Sequence, residues 1–291
     1  MRIRTIDFES TGDSPDGDKH GLVEIGFVDV VSTSSDLLGA PVDWIVETPG
    51  WDQSRLCNPG VPIPPETAAI HHIIDADVAD ARPWKRVLRA LLKQSVADGV
   101  EYFAAHGAKM EELWFHRDWW FDVEHDPIPF IDTFKCALRL WPDAPLHSNM
   151  GLRYHRMPEG LIRELGLPAH RALPDAYVTA FHVRDMLNEG AEIKKLLEWS
   201  TLPALTVRCY IGDYRNGGKG TPWPEVETSM LHWILGKDFP EDTVFTVRHH
   251  LQLREQAAAE EAQTDDLNEQ LRANGLPVDG EPDPAQGAMV L

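Results

Sequence analysis

The chain has 291 residues, of which 43% are apolar and 25% are charged, and its formal net charge is −20. This composition is typical of a globular protein with one large domain and a smaller one. No apolar run reaches the roughly 20 residues of a membrane-spanning helix, and the N-terminus lacks the apolar core of a secretory signal. Three widely separated cysteines indicate neither a disulfide framework nor a zinc pair. We therefore expect a cytoplasmic protein without membrane contact.

The acidic charge argues against a protein that coats nucleic acid non-specifically, because such proteins are normally basic. Residues 255–291 contain nine acidic residues and one arginine, so they contribute −8, and residues 1–254 contribute the remaining −12. Part of that remaining negative charge belongs to the carboxylates of a candidate metal site, described below, which a bound cation would neutralise.

The first predicted elements are three strands. Residues 1–9 alternate in the period of a strand, so Asp7 and Glu9 project from the same face. Two adjacent carboxylates repel each other unless a cation lies between them, and a solvated strand end is the alternative interpretation. Residues 21–31 and 41–50 predict two more strands, and the short turns between them indicate an antiparallel meander.

Helices and strands alternate after the meander. Prolines exclude regular structure up to about Pro65, where a short helix begins, and apolar spacing predicts a helix over 83–97. Strands over 101–107 and 127–133 flank a helix over 108–121, an alternation that indicates parallel pairing. The aromatic residues of the helix predicted over 108–121 are assigned to the core, with base stacking as the alternative.

Further helices are predicted over 157–168 and 175–190. Asp175 lies in the first turn of the second helix, where a helix cap is the alternative to a functional role. We predict four regions along the chain: a first domain over residues 1–190, a helical connector over 191–204, a small C-terminal unit over 205–254, and an acidic tail over 255–291. In the tail a helix continues a little beyond Glu255 and disorder follows.

Three strings supply the residues of one candidate metal site: TIDFEST (5–11), AAHGAKMEELWF (104–115) and HRALPDAYVTA (170–180). The candidate residues are Asp7, Glu9, Glu111, His170 and Asp175. Mg²⁺ and Mn²⁺ prefer oxygen ligands, and a pair of such ions suits phosphodiester hydrolysis. Histidine titrates near neutral pH and can accept the proton of the attacking water. Glu112 is the alternative ligand if the register differs by one residue.

These strings carry a family resemblance. TIDFEST resembles the first motif of the DnaQ-like 3′–5′ exonucleases, and HRALPDAYVTA resembles the third motif of their histidine-containing DEDDh subgroup. AHGAKME stands where the second motif is expected, with Gly107 in place of the usual asparagine and Glu111 in place of the usual aspartate. The resemblance extends over about residues 3–190, with the motifs in the expected order.

The resemblance implies an α/β, ribonuclease H-like fold, which has a mixed five-stranded sheet flanked by helices. It also implies a 3′–5′ exonuclease that uses two divalent ions, Mg²⁺ or Mn²⁺, and releases nucleoside 5′-monophosphates. In that family pattern Asp7 bridges both ions, and Glu9 and Asp175 complete the site of the ion that activates water. Glu111 holds the second ion, and His170 is the general base.

The C-terminal unit resembles the corresponding region of exonuclease X-type proteins. The matching residues are Tyr210, Gly212, Tyr214, Lys219, Gly220, Pro222, Trp223, Glu225 and Val226. Basic and aromatic residues interleave there, and cations with stacking rings suit nucleic acid. The candidate contacts are Arg208, Arg215, Lys219 and Trp223. A packing appendage or a dimer contact is the alternative.

The implied substrate is DNA with a free 3′ end, single-stranded or frayed. Two alternatives remain open: an exoribonuclease of the same fold, and a catalytically weak module that binds nucleic acid. The second alternative draws on the glutamate at position 111 and on the acidic charge of the chain.

Overall fold

The computed structural model describes residues 1–16, 19–35, 39, 41–50, 53–115, 125–274 and 276. The chain divides into two compact units, which meet in sequence at Pro203 and Ala204. The described part of the chain contains no helix that is long and apolar enough to cross a membrane. The helix predicted over 191–204 is present as Ile193–Thr201, but it belongs to the first unit, where its Leu196 is fully buried, and is not a separate connector.

A mixed sheet forms the centre of the first unit. Its strands are β1 (Arg2–Ser10), β2 (Leu22–Ser35), β3 (Pro41–Val46), β4 (Ser54–Leu56), β5 (Tyr102–Ala105) and β6 (Phe130–Asp132). Five of them follow the order β3-β2-β1-β5-β6, and the short β4 pairs with β2. β2 is antiparallel to β1 and β3, whereas β1, β5 and β6 are parallel. The antiparallel meander and the parallel pairing predicted from the sequence are confirmed.

Helices pack on both faces of this sheet. They are α1 (Pro65–His71), α2 (Asp75–Val78), α3 (Trp84–Ala97), α4 (Lys109–Trp114), α5 (Thr133–Leu140), α6 (Asn149–Arg156), α7 (Ala172–Asn188) and α8 (Ile193–Thr201). Side chains of α3 share a core with Ile6 and Phe8, and side chains of α7 share a second core with Ile3 and Val28. Because β1 alternates between the two cores, its odd-numbered positions face α7. The arrangement is the predicted ribonuclease H-like fold.

The helix predicted over 157–168 is wrong, and the helix in this region is α6 instead. Met157 takes a left-handed conformation with φ of 48° and ends α6. The buried guanidinium of Arg153 donates to the carbonyl oxygens of Arg163 and Gly166. These carbonyls are therefore satisfied without a helix, although the apolar spacing of the segment fits one.

Helix α4 is shorter than predicted, because Phe115 is extended. Residues 116–121 of the predicted helix lie outside the described residues. Trp114 contacts Trp84 edge to face, with 5.1 Å between ring centroids, and Phe115 stacks on Phe103 at 5.3 Å. These aromatic residues pack in the core, as predicted.

The second unit has a small core of its own. Its elements are β7 (Arg208–Cys209), 3₁₀ segments at Gly212–Gly218 and Trp223–Glu225, β8 (Thr221–Pro222), α9 (Thr228–Leu235) and α10 (Glu241–Ala273). The helix predicted to continue a little beyond Glu255 extends as far as Ala273, so helix covers more of the predicted tail than expected. Alanine, glutamate, glutamine and leucine favour helix there even where side chains are exposed. Residue 275 and residues 277–291 of the predicted tail lie outside the described residues.

Candidate active site

Strand β1 presents two carboxylates on the face that packs against α7. Asp7 and Glu9 follow Thr5 at every second position of the strand. Thr5 Oγ1 donates to the carbonyl oxygen of Ala176 at 2.8 Å, which joins this face of β1 to the first turns of α7. Phe8 points to the opposite face and is 2% exposed in the core there, as the strand period predicts.

Gly26 allows α7 to approach the sheet closely. Gly26 pairs with Asp7 in the register of β1 and β2. A Cβ atom at Gly26 would lie 2.3 Å from the carbonyl carbon of Ala172, in the first turn of α7. The absent side chain thus lets the helix begin against the strand. As a result, ligand oxygens of Asp7, Glu9 and Asp175 all lie within 4.8 Å of one another.

Glu111 reaches the same region from α4. Its side chain is buried at 4% exposure, whereas the neighbouring Glu112 is exposed, which supports Glu111 over the alternative register. Glu111 is near enough to Asp7 to raise the pKa of that carboxyl. It lies outside the set of three carboxylates that approach within 4.8 Å.

The turn that leads to α4 depends on a residue that sequence reasoning missed. Asp132 caps α5 by accepting from the backbone N–H of Lys135 at 3.2 Å, and its Oδ1 also accepts from Gly107 N at 3.3 Å. Gly107 has φ of 89°, a conformation that suits glycine. The Asp-Thr start of α5 was an available helix-cap signal in the sequence.

His170 contacts the cluster through its backbone. Its amide N–H donates to Asp175 Oδ2 at 2.9 Å, and its φ is 60°. The residue is exposed to solvent. The structure therefore brings Asp7, Glu9 and Asp175 together, and it places His170 and Glu111 next to them.

The electrostatics of the cluster favour a cation. Burial, with repulsion from Asp175 and Glu9, raises the pKa of Asp7 well above its ordinary value. Burial is also the main cause that raises the pKa of Glu9 and of Glu111 to about 8. Asp175 Oδ1 and Glu111 Oε2 are buried and have no hydrogen-bond partner among the described residues. These clustered oxygen donors fit a divalent ion such as Mg²⁺ or Mn²⁺.

Two charged residues beside the cluster were also missed. Glu24 on β2 and Arg171, which follows His170, form an ion pair with 2.8 Å between Arg171 Nε and Glu24 Oε2. Burial opposes ionisation of Glu24, but hydrogen bonds from Arg171 and Ala172 outweigh it and keep the pKa of Glu24 below its ordinary value. The sequence contains no local signal for this pair, because its members are far apart in the chain.

The candidate contacts of the second unit divide into two groups. Trp223 is 2% exposed, and its indole N–H donates to Thr206 Oγ1, so its predicted stacking on bases is corrected to a core role. Arg208 donates to the carbonyl oxygen of Gly220 at 3.1 Å. Arg215 and Lys219 are exposed. This loop therefore presents cations to solvent, but not the predicted tryptophan.

Comparisons with known proteins assign the family. The RNase_T exonuclease family model matches residues 5–181. Exodeoxyribonuclease 10 of Escherichia coli strain K12 is 29% identical over 253 residues, which cover 86% of this chain and 99% of the relative. A solved structure of exonuclease X in complex with 5′ overhanging duplex DNA is 31% identical, covers 68% of this chain and 99% of that chain, and has a TM-score of 0.49. The chain therefore belongs to the exonuclease family, and it is a 3′–5′ exonuclease, as its motifs predict.

Proposed function

We propose that the protein is a metal-dependent exodeoxyribonuclease that removes nucleoside 5′-monophosphates from the 3′ ends of DNA. The observation that carries the proposal is the set of three carboxylates, Asp7, Glu9 and Asp175, with oxygens within 4.8 Å of one another. The name of the E. coli relative, which aligns over 86% of this chain, supports DNA as the substrate. A single-stranded or frayed end is the form of substrate that we expect.

The carboxylates would hold two divalent ions, Mg²⁺ or Mn²⁺. Asp7, Glu9 and Asp175 would bind one ion, and Asp7 with Glu111 would bind the other. Bound ions of this kind make a nearby water more acidic and stabilise the negative charge that develops in phosphodiester displacement. The protein's part is to keep several carboxylates close together although they repel one another, so that the cations bind in a fixed place.

His170 would accept the proton of the attacking water. His170 is exposed, so its ring is open to solvent. Asp175 Oδ2 accepts the backbone N–H of His170 at 2.9 Å, while Asp175 Oδ1 is left for a cation. Asp175 would thus fix the backbone of His170 close to the ion that it would hold, and a positioned base contributes on the order of 10²–10⁴ in rate.

Arg208, Arg215 and Lys219 of the second unit would contact the DNA backbone. Arg215 and Lys219 are exposed, which supports this role for them, and Arg208 is partly exposed. Tyr210, which is 53% exposed, offers a ring for stacking. Lys219→Glu is expected to raise the KM for DNA several-fold at low salt and much less at high salt, because salt screens the interaction. Lys93→Glu, an equal charge change at an exposed position of α3, is the control. Equal effects in both variants would show that Lys219 does not contact the DNA.

Matched DNA and RNA oligomers test the proposed activity. With Mg²⁺ or Mn²⁺, we expect the DNA to be degraded at least tenfold faster than the RNA, and EDTA should stop both reactions. Faster degradation of RNA would make the protein an exoribonuclease. Binding of either strand without hydrolysis, with both metals, would favour the binding module instead.

A further inference from the structure

An ion pair between the buried Glu24 and the partly exposed Arg171 adjoins the carboxylate cluster. Glu24 lies directly opposite Glu9 in the register of β1 and β2, and its side chain is 2% exposed. Arg171 donates from Nε and Nη2 to the two oxygens of Glu24, each at 2.8 Å. Ala172 N donates to Glu24 Oε2 at 3.0 Å, and Ser54 Oγ donates to Oε1 at 2.8 Å. One carboxylate therefore accepts four hydrogen bonds, two of them from a single planar guanidinium.

These bonds fasten the segment that carries two of the candidate site residues. Arg171 directly follows His170, and Ala172 begins α7, whose first turn contains Asp175. Glu24 holds the side chain of one residue and the backbone of the next, so the segment is fixed in both position and orientation. A bidentate pair of this kind adds directional constraint that a lysine or a single hydrogen bond does not supply.

The ion pair also occupies the carboxylate of Glu24, which lies beside the cluster. Like charges directly opposite on neighbouring strands repel each other, and Glu24 stands opposite Glu9. Both oxygens of Glu24 are bonded to Arg171, so they are not available to a cation that binds at Asp7 and Glu9. Arg171 thereby keeps Glu24 in a structural role, whereas the carboxylates of Asp7 and Glu9 are available to a cation.

We propose that Glu24 and Arg171 are positioning residues of the nuclease site, which fix His170 and Asp175 relative to Asp7 and Glu9. The inference rests on the proposed function for its consequence in catalysis. Removing one partner of a buried ion pair leaves an uncompensated buried charge and destabilises the fold, so a purely structural role would show mainly in the thermal unfolding temperature. A positioning role would show instead in metal affinity and in kcat.

The test compares Glu24→Gln, Arg171→Gln, Arg171→Lys and the double variant Glu24→Gln/Arg171→Gln in the full-length protein. Residues that orient metal ligands typically contribute 10–100-fold to metal affinity or activity. We expect each glutamine variant to weaken Mn²⁺ binding, measured by calorimetry, and to lower kcat by about that factor. The KM for DNA should change less than about threefold, since the pair fixes the site and not the substrate. Arg171→Lys should fall between the wild type and Arg171→Gln.

Two comparisons separate positioning from general stabilisation. The double variant should be within about threefold of the worse single variant, because both changes remove one interaction. Asp29→Asn is the control at another carboxylate of β2, since Asp29 pairs with Arg4 at 2.7 Å and with Arg2 at 2.6 Å. It should lower the unfolding temperature but leave Mn²⁺ affinity and kcat unchanged.

Unchanged Mn²⁺ affinity and kcat in both glutamine variants would overturn the proposal, as would equal losses in Asp29→Asn. The metal titration also separates this inference from the proposed function. If the wild type binds Mn²⁺ but degrades no DNA, the exodeoxyribonuclease proposal fails. In that case, weaker Mn²⁺ binding in the two glutamine variants would still support the positioning role.

Discussion

Asp7 is the residue that the proposed chemistry needs most directly. Its carboxylate lies within 4.8 Å of those of Glu9 and Asp175. Its pKa is raised by burial together with repulsion from Asp175, Glu9, Glu111 and Glu24. Such a cluster costs folding free energy when its members are ionised without a cation. A functional role therefore explains an arrangement that stability alone would disfavour.

Replacing Asp7 or Asp175 with alanine is expected to abolish DNA hydrolysis and to maintain or raise the stability of the metal-free protein. Each change removes a cation ligand and relieves repulsion among the remaining carboxylates. Steady-state hydrolysis and thermal unfolding in EDTA measure the two effects. Retention of more than about a tenth of the wild-type rate, a loss below ~1.4 kcal/mol, would contradict the assignment of that residue.

Glu111 has the side chain that departs from the family pattern. Glu111→Gln keeps the size but removes the charge, so we expect a severe loss of activity, whereas Glu111→Asp should remain active and shift the metal preference toward Mg²⁺. Magnesium requires a more regular geometry at shorter distances than larger ions do. Rates with Mg²⁺ and with Mn²⁺ give the comparison.

The control for this prediction is Glu112→Gln, which should be nearly silent because Glu112 is exposed. Loss of activity in Glu112→Gln but not in Glu111→Gln would place the ligand one residue later. Silence of both variants would mean that α4 supplies no ligand.

At the scale of single residues, the sequence predicted what local periodicity controls. The period of a strand placed Asp7 and Glu9 on one face and Phe8 on the other, and the structure shows both. It did not predict the Glu24–Arg171 pair, because that contact depends on how β2 and the start of α7 meet in space. Trp223 was misassigned since a pattern of aromatic residues does not reveal exposure.

At the scale of elements, the junction between β2 and α7 determines the geometry of the site. The sequence predicted the strands and the longer helices, whose apolar spacing is regular. It failed over residues 157–168, where Arg153 satisfies loop carbonyls from another element. Tertiary hydrogen bonds of this kind can outweigh a local helical pattern, and no property of the segment itself reveals them.

Gly26→Ala tests the junction. The added Cβ would lie 2.3 Å from backbone atoms of α7, so the helix has to move away from β2. We expect a loss of about 1–3 kcal/mol in stability. A displacement of about 1 Å in the ligands is enough to lower kcat on the order of 10²-fold. Urea unfolding and single-turnover rates measure these changes.

Gly236→Ala is the matched control, because its Cβ would have no neighbour closer than 3.5 Å. It should change neither stability nor rate appreciably. Wild-type rates in Gly26→Ala would show that the site tolerates movement of α7.

At the scale of the whole molecule, the acidic charge has to be reconciled with an acidic substrate. The chain carries a net charge of −20, of which residues 255–291 contribute −8. Most side chains of α10 beyond Glu255 are exposed. This part of the helix therefore adds negative potential but little burial, and negative potential disfavours encounter with DNA.

Truncation after Glu255 is expected to leave stability nearly unchanged and to maintain or raise activity at low salt, with the difference falling as salt is added. Truncation after Leu253 is the control, because it also removes Arg254. That guanidinium donates to Thr228 Oγ1 and to the carbonyl oxygen of Val226, each at 2.6 Å. Only the control should destabilise the second unit in thermal unfolding. Loss of folding in the variant truncated after Glu255 would show that the end of α10 is needed for folding.

Product analysis tests the central claim most directly. A single-stranded DNA oligomer labelled at its 5′ end, incubated with Mg²⁺ or Mn²⁺, should shorten in one-nucleotide steps from the 3′ end. Mass spectrometry should identify nucleoside 5′-monophosphates, and an oligomer with a blocked 3′ end should remain intact. Asp7→Ala should neither shorten the oligomer nor release nucleoside 5′-monophosphates. Internal cuts, shortening from the 5′ end, or release of nucleoside 3′-monophosphates by the wild type would contradict the account.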